Sequence, residues 1–418
     1  MSSFRTNTLM VSVMWFLGSL FYAYQYILRV LPNIMVGDIL EKFQVDASIF
    51  GQFSGIYYIG YALMHIPLGI LLDKYGPRKI MPICILLTVV GLMPLLYTSQ
   101  WIYPCAGRFL MGLGSSAAIL GIFKIIRMGY DEAKFTRMLG LSVTIGLLGA
   151  IYGGRPVSYL LTTYGPEIVI NSLVVLGGLL AMGLYWIVPE QPETEHNQTC
   201  MKEGLRVVLC HPKVMAICLL AGLMVGPLEG FADVWGTEFL KVMYQFSSET
   251  AAGLPSMIFL GMCFGSPLLT FVADKTKAYY ELIIIGAILM GGVFFGMLTG
   301  LLQGALISPS LVIVGVFCAY QILAIYKAST YVPEHLVGLT TACANMIIMI
   351  FGYFFHSAIG KLVAVYWDGT LENQVPIYNS QAYSQGLMII PVGLSLAAIG
   401  FAVIYLSEKK QEKIVPSI

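Results

Sequence analysis

The chain has 418 residues, 58% of them hydrophobic and only 11% charged, with a mean hydropathy of +0.80. That leaves too little polar surface to cover a water-soluble globule, and the chain reads as an integral membrane protein. A net charge of +1 without blocks of basic residues excludes a nucleic-acid partner.

About 20 apolar residues cross a bilayer as a helix. On that measure the sequence divides into twelve spans: 11–36, 49–72, 80–98, 101–127, 137–161, 167–188, 213–236, 251–273, 279–302, 309–331, 336–362 and 383–406. The first run is longer than a signal-peptide core and lacks an A-x-A-like end, so it is expected to stay as a span. Within it Tyr22, Gln25, Tyr26 and Arg29 recur at i, i+3, i+4 and i+7 and share one helix face. Tyr57, Tyr58 and Tyr61 cluster on the second span, which also carries His65. A tyrosine in such a place is commonly a packing residue with a satisfied hydroxyl, but four polar groups on one face predict a lining that meets protein or water.

The second span ends in "GILLDKYGPRK" (69–79), with Asp73, Arg78 and Lys79 at a helix end, and the fourth contains "RFLMGLG" (108–114). "GLLGAIYGG" (146–154) follows in the fifth span, just before Arg155. The polar run "PEQPETEHNQTCMKEG" reads as a solvated linker. It divides the chain into an N-terminal six-helix bundle (1–188), a linker (189–212) and a C-terminal six-helix bundle (213–418). The halves echo one another, since Gly60 precedes Asp73 and Gly261 precedes Asp274 by thirteen residues each, with a lysine next in both. In the seventh span Glu229 and Asp233 stand four apart, where like charges repel on one helix face. The tenth span carries Tyr320, Gln321 and Lys327, and the eleventh a stripe of Thr341, Asn345, Gly352 and His356.

Lysines and arginines between spans, among them Lys74, Arg78, Lys79, Arg127, Lys213 and Lys275, gather on one face, against Lys42, Lys241 and Lys361 on the other. The asymmetry predicts cytoplasmic termini. Arg29, Arg108, Lys124, Arg155 and Lys327 remain inside the spans. At ~1.5 Å rise per residue, Arg29, Arg108, Arg155, Glu229 and Asp233 all fall in the outer third of the membrane. Cations from the first half and acids from the second are therefore expected to meet across a central cleft, either as an outer gate of salt bridges or as a grip on a ligand.

The eight cysteines are scattered and form no C-x-x-C pair. His196, Cys200, Cys210 and His211 match no usual finger spacing, so the region reads as a loop rather than a metal site. Gly360-Lys361 lacks the rest of a P-loop, and no H-E-x-x-H or G-x-S-x-G occurs, so neither a nucleotide-driven pump nor an intramembrane protease or acyltransferase is expected, and no cofactor.

"GILLDKYGPRK", its degenerate copy "FVADKTK" in the eighth span, the intramembrane Arg108 with its glycines and the glycine-rich fifth span together resemble the major facilitator superfamily over essentially the whole chain. Pro77 departs from the first signature, where a basic residue often stands. The resemblance implies an all-α membrane protein of twelve transmembrane helices in two pseudo-symmetric six-helix bundles, working as a secondary transporter by alternating access. It also implies that Asp73, Arg78, Lys79 and Asp274 form a conformational latch at the cytoplasmic face. "FYAYQYILRVLPNIM" (21–35) resembles the first helix of phagosomal nutrient transporters of intracellular bacteria and, more distantly, lysosomal dipeptide carriers. That implies a small zwitterionic nutrient, an amino acid or short peptide; proton coupling is expected from acids whose surroundings change with alternating access, and the chain is expected to act as a monomer in a bacterial inner membrane. The residues expected at the substrate are Tyr22, Gln25, Tyr26, Arg29, Tyr57, Tyr61, Arg155 and Asn345. Glu229, Asp233 and Arg108 are expected to carry proton coupling, with His65 and His356 as weaker relay candidates. An organic anion, sugar acid or siderophore is the competing cargo, and a non-transporting receptor the competing class.

Overall fold

The computed structural model describes residues 8–190, 198–372 and 374–414. Eleven of its helical stretches are long and apolar enough to cross a membrane, and 137–153 is a shorter apolar helix. The twelve expected spans are recovered within these. The fifth and sixth share α9 (Arg155–Ile187), in which Gly165, at φ 79° and followed by Pro166, joins two helices. Only glycine adopts that left-handed conformation without steric cost, so helix 155–164 continues α8 (Glu132–Gly153) after a break at Gly154, and 166–187 is the sixth span.

The chain forms two compact units: Met1–Val45 with Phe53–Gln198, and Asp46–Gln52 with Thr199–Ile418. The first is built on α1 (Thr8–Ile34), the short α2 (Val36–Phe43), α3 (Ala47–Tyr75), α4 (Pro77–Leu92), α5 (Pro94–Tyr97), α6 (Ile102–Ser115), α7 (Ala117–Gly129), α8 and α9. Helix α2 was not expected. Its Lys42 donates to the carbonyls of Leu95 and Leu96 at 2.6 and 2.8 Å and so caps the end of α5, while partial burial lowers the pKa of the ammonium group.

Residues 198–210, expected as loop, form helix α10 (Gln198–Cys210), because Gly204 and Val208 bury one face. Then follow α11 (Pro212–Leu223), a π-helical segment Gly226–Trp235, α12 (Gly236–Tyr244), α13 (Ser248–Gly253), α14 (Ser256–Thr276), α15 (Tyr279–Leu298), α16 (Ile307–Cys318), α17 (Tyr320–Ser329), α18 (Val337–Val365), α19 (Ser380–Leu387) and α20 (Ile389–Ile414). A two-residue antiparallel ribbon, β1 (Leu371–Glu372) with β2 (Val375–Pro376), lies between α18 and α19.

The internal repeat is visible in packing. A Cβ at Gly60 on α3 would strike the Phe109 carbonyl of α6, and one at Gly261 on α14 would strike the Val312 carbonyl of α16. Glycines that let backbones touch are the means by which helices associate in lipid, where no hydrophobic force separates helix from solvent. The two positions matched in sequence thus perform the same close approach in each unit.

Candidate functional site

In the first unit the polar face of α1 meets the tyrosines of α3 and the arginine of α6. Tyr57 donates its hydroxyl to Gln25 Oε1 at 2.8 Å, and both residues are buried. The Arg29 guanidinium, 6% exposed, sits 5.2 Å from the ring centres of Tyr26 and of Tyr58, an arrangement in which the ring faces stabilise a cation. Tyr22 packs edge-on to Tyr26 at 5.2 Å. Tyr57 stacks on Tyr61 at 6.2 Å, and Tyr61 stacks on His65 at 5.4 Å. The structure therefore brings Tyr22, Gln25, Tyr26, Arg29, Tyr57 and Tyr61 into one continuous cluster.

Arg108 has a task that its sequence position did not reveal. Its Nη1 donates to Leu28 O and its Nη2 to Arg29 O, both at 2.8 Å, with the guanidinium 4.8 Å from the Tyr57 ring centre. Pro32 stands inside α1, and proline has no N–H for the carbonyl four residues earlier, here Leu28. Arg108 supplies that donor from a neighbouring helix. It positions α1 through these two contacts. The signal was legible in hindsight: an intrahelical proline on one span and a buried arginine on another. Arg155, expected within the fifth span, is the exposed first residue of α9, directly after the break at Gly154.

In the second unit Glu229 and Asp233 are both fully buried. They lie on the π-helical segment Gly226–Trp235, whose wider turn is rare and recurs at functional positions. Pro227, in the first turn of this segment, cannot hydrogen-bond back to the preceding helix, and Leu228 N and Glu229 N both donate to Val225 O. The Glu229 carbonyl lies 2.6 Å from His356 Nε2. A carbonyl only accepts, so Nε2 carries the hydrogen and fixes the tautomer. His356 is itself fully buried, and a Cβ at Gly51 would strike its carbonyl. Trp235 closes the segment, edge-on to Phe50 at 5.4 Å. Asn345 is half-buried, whereas Thr341 is exposed and bonds back to Val337 O at 2.9 Å. Tyr320 donates to Ala221 O at 2.7 Å, just ahead of the irregular segment. Of the stripe expected on α18, His356 meets the acid-bearing segment directly, at the Glu229 carbonyl.

The charged helix ends pair within their units. Asp73 Oδ1 lies 2.8 Å from Lys124 Nζ of α7, a partner absent from the expected latch. Arg78 donates to Tyr185 O at 3.2 Å, and Lys79 Nζ lies 3.1 Å from Glu190. Asp274 accepts from Tyr279 at 2.9 Å. Of the linker residues weighed for a metal, His196 and Cys200 lie outside the residues whose side chains are described. The His211 ring accepts from Val214 N and caps α11.

The sequence model of the Major Facilitator Superfamily matches residues 14–356. The chain is 25% identical over 342 residues to the "Uncharacterized transporter YybO" of Bacillus subtilis (strain 168), covering 72% of this chain and 76% of that one. It is 24% identical over 260 residues to a "Putative inorganic phosphate cotransporter" of Drosophila ananassae, covering 56% and 53%. Its fold is similar to that of a bacterial homologue of the human lysosomal transporter Spinster, in the inward-facing, unoccupied conformation (TM-score 0.74, 17% identity, covering 94% of this chain and 96% of that one). It is also similar to a D-xylose–proton symporter (TM-score 0.68, 16% identity, covering 95% and 97%).

Proposed function

We propose that this chain, which belongs to the Major Facilitator Superfamily and is a secondary transporter, couples protons to the movement of a small zwitterionic nutrient, an amino acid or short peptide. The observation that carries the reading is the pair of carboxylates, Glu229 and Asp233, fully buried on a π-helical stretch of a membrane span. Ionisable residues at such depth are costly and mark ion pathways and proton relays. A carboxylate that alternates between wet and dry surroundings takes up and releases a proton, which is the minimum a proton-driven carrier needs. Arg29, flanked by two tyrosine rings, is the group we assign to the substrate carboxylate, since its planar fork matches that geometry. Gln25, Tyr57 and Tyr61 line the same face of the first unit. Asp73, Arg78, Lys79 and Asp274 serve the latch, with Lys124 as the partner of Asp73. The chain works as a monomer in a bacterial inner membrane, both termini on the cytoplasmic side.

A second reading, an anionic cargo, is favoured by the similarity to the putative inorganic phosphate cotransporter of Drosophila ananassae and by the same arginine. Uptake of a mixed amino-acid, dipeptide and organic-anion pool into proteoliposomes, with and without an imposed proton gradient, separates the two. We expect gradient-driven accumulation of zwitterions, and expect Glu229→Gln to abolish accumulation while leaving substrate exchange in part intact. Accumulation by Glu229→Gln at the unmodified level would remove Glu229 from the coupling path. Uptake of anions alone would replace the zwitterion assignment.

A further inference from the structure

At one end of the second unit, the start of α15, the end of α17 and the last turns of α20 enclose a polar cavity of about 270 Å³. Its ionic lining comprises Lys277, Lys327 and Lys409 against Glu281 and Glu408, one positive charge in excess. None of these residues belongs to the transport cluster described above. The volume falls just below the roughly 300–1,000 Å³ of pockets that take drug-sized molecules, and so suits a small polar group.

The donors around this cavity are held in place, and several still have hydrogens to give. Tyr280 donates its hydroxyl to Glu408 Oε1 at 3.0 Å, so in its 2.9 Å contact with Tyr331 it is the acceptor. That leaves Glu408 Oε2 for Lys327, whose ammonium lies 3.6 Å away and 4.7 Å from the centre of the Tyr280 ring. A charge-assisted bond is usually about 2.7–2.9 Å. Lys327 is thus steered by Glu408 and the ring without being tightly bonded, and it keeps donors for a ligand. Lys409 donates to the Tyr405 oxygen at 3.4 Å, which leaves the Tyr405 hydroxyl hydrogen available. Lys277 takes a left-handed conformation, φ 59°, at the end of α14. Two residues later the 20-residue helix α15 begins, and its first-turn residues Tyr279, Tyr280 and Glu281 form part of the wall, where the helix dipole favours negative charge.

We propose that this cavity binds a phosphate-bearing anion, either the headgroup of an anionic phospholipid or a soluble phosphate. Point-charge ammonium groups converging from three helix ends, with a phenol beside them, suit a tetrahedral group. A planar carboxylate is better served by the fork of an arginine, and among the described residues none lines the cavity. Lysines clustered at the end of a membrane span are also the pattern that attracts anionic headgroups. The inference stands apart from the transport reading, because it uses none of the residues assigned there.

The test uses the full chain, purified and placed in phosphatidylcholine nanodiscs, with the thermal midpoint as readout. Phosphatidylglycerol is added to the discs in one arm. In the other arm inorganic phosphate is titrated at constant ionic strength against chloride. A midpoint that rises in the first arm alone identifies a lipid headgroup, and one that rises in the second identifies a soluble phosphate. In either case Lys327→Gln should weaken the apparent affinity about tenfold, the size of one charge-assisted hydrogen bond. Lys409→Gln and Tyr405→Phe, both outside the packed interior, give the same direction if Lys327→Gln fails to fold. No shift with either probe, or the same shift in the variants as in the parent chain, overturns the proposal.

Discussion

The double role assigned to Pro32 and Arg108 leads to a quantitative expectation. Arg108→Met takes the donors from two buried carbonyls, Leu28 O and Arg29 O, at roughly 1–3 kcal/mol for each group left short. It also removes the contact with the Tyr57 ring, of order 1 kcal/mol or more when desolvated. Against this, a buried guanidinium no longer has to be stripped of water, which offsets part of the loss. We expect a net destabilisation of about 3 kcal/mol. Pro32→Ala changes the result in a specific way, because alanine brings back the N–H that can reach Leu28 O within α1. In that background Arg108→Met should cost about 1–2 kcal/mol less, a coupling within the range of residues that share a partner. The four proteins of this cycle are compared by denaturant unfolding in mixed micelles, followed by tryptophan fluorescence. Additivity within about 0.5 kcal/mol would show that Arg108 does not stand in for the missing proline donor.

Three further outcomes follow. Arg29→Lys should weaken binding of a free-acid ligand about tenfold, roughly one charge-assisted contact, and hardly affect its carboxamide; equal losses for both in a ligand-induced thermal shift would take Arg29 out of the substrate site. Asp73→Asn should slow interconversion of inward-open and outward-open forms, measured with paired fluorophores, while stability changes by less than about 1 kcal/mol because the Lys124 pair is partly exposed; altered ligand selectivity would contradict this. Hydrogen bonds from Thr370, with Asn379 adding another, hold the Asp368 carboxyl below the usual carboxylate range, so it stabilises its loop above the unfolded-state pKa and loses that effect as pH falls through the folded one. Amide exchange at Thr370 should therefore quicken only in strong acid and be already fast at neutral pH in Asp368→Ala; exchange unchanged by that substitution would be the contrary result.

The placing of the spans was legible because membrane crossing leaves a coarse signal: some 20 apolar residues in a row, broken by charges and prolines. The face of α1 was legible for a similar reason, since Tyr22, Gln25, Tyr26 and Arg29 obey helical spacing and the structure keeps that spacing. What stayed hidden was whatever depends on a departure from regular geometry or on a partner distant in sequence. Helix α10 was hidden because polar residues dominate its composition, while among its described side chains Gly204 and Val208 are the buried positions. The break at Gly154, which makes Arg155 the first residue of a new helix, was hidden because a straight fifth span fits the same apolar run. The Asp73–Lys124 pair joins positions 51 residues apart, a separation that no local pattern reports.

The opposed charges in Arg29 and Glu229 lie at points where the two units use the same device. Each unit opens with a span whose helical ladder is interrupted, by Pro32 in α1 and by the π-helical stretch with Pro227 at its start. An interrupted ladder leaves carbonyls that lipid cannot satisfy, so a side chain from another span must supply a donor. In the first unit that donor is Arg108, and one of the carbonyls it takes is that of Arg29 itself. In the second it is His356, and the carbonyl is that of Glu229 itself. The residues with the costliest side chains in the membrane therefore have their own backbones pinned from outside the helix that carries them. Pinning fixes where the charge projects, and the broken ladder lets that stretch of helix yield without losing further backbone bonds. A carrier needs both properties in one place, since its charged groups have to keep their positions in each state and shift between states.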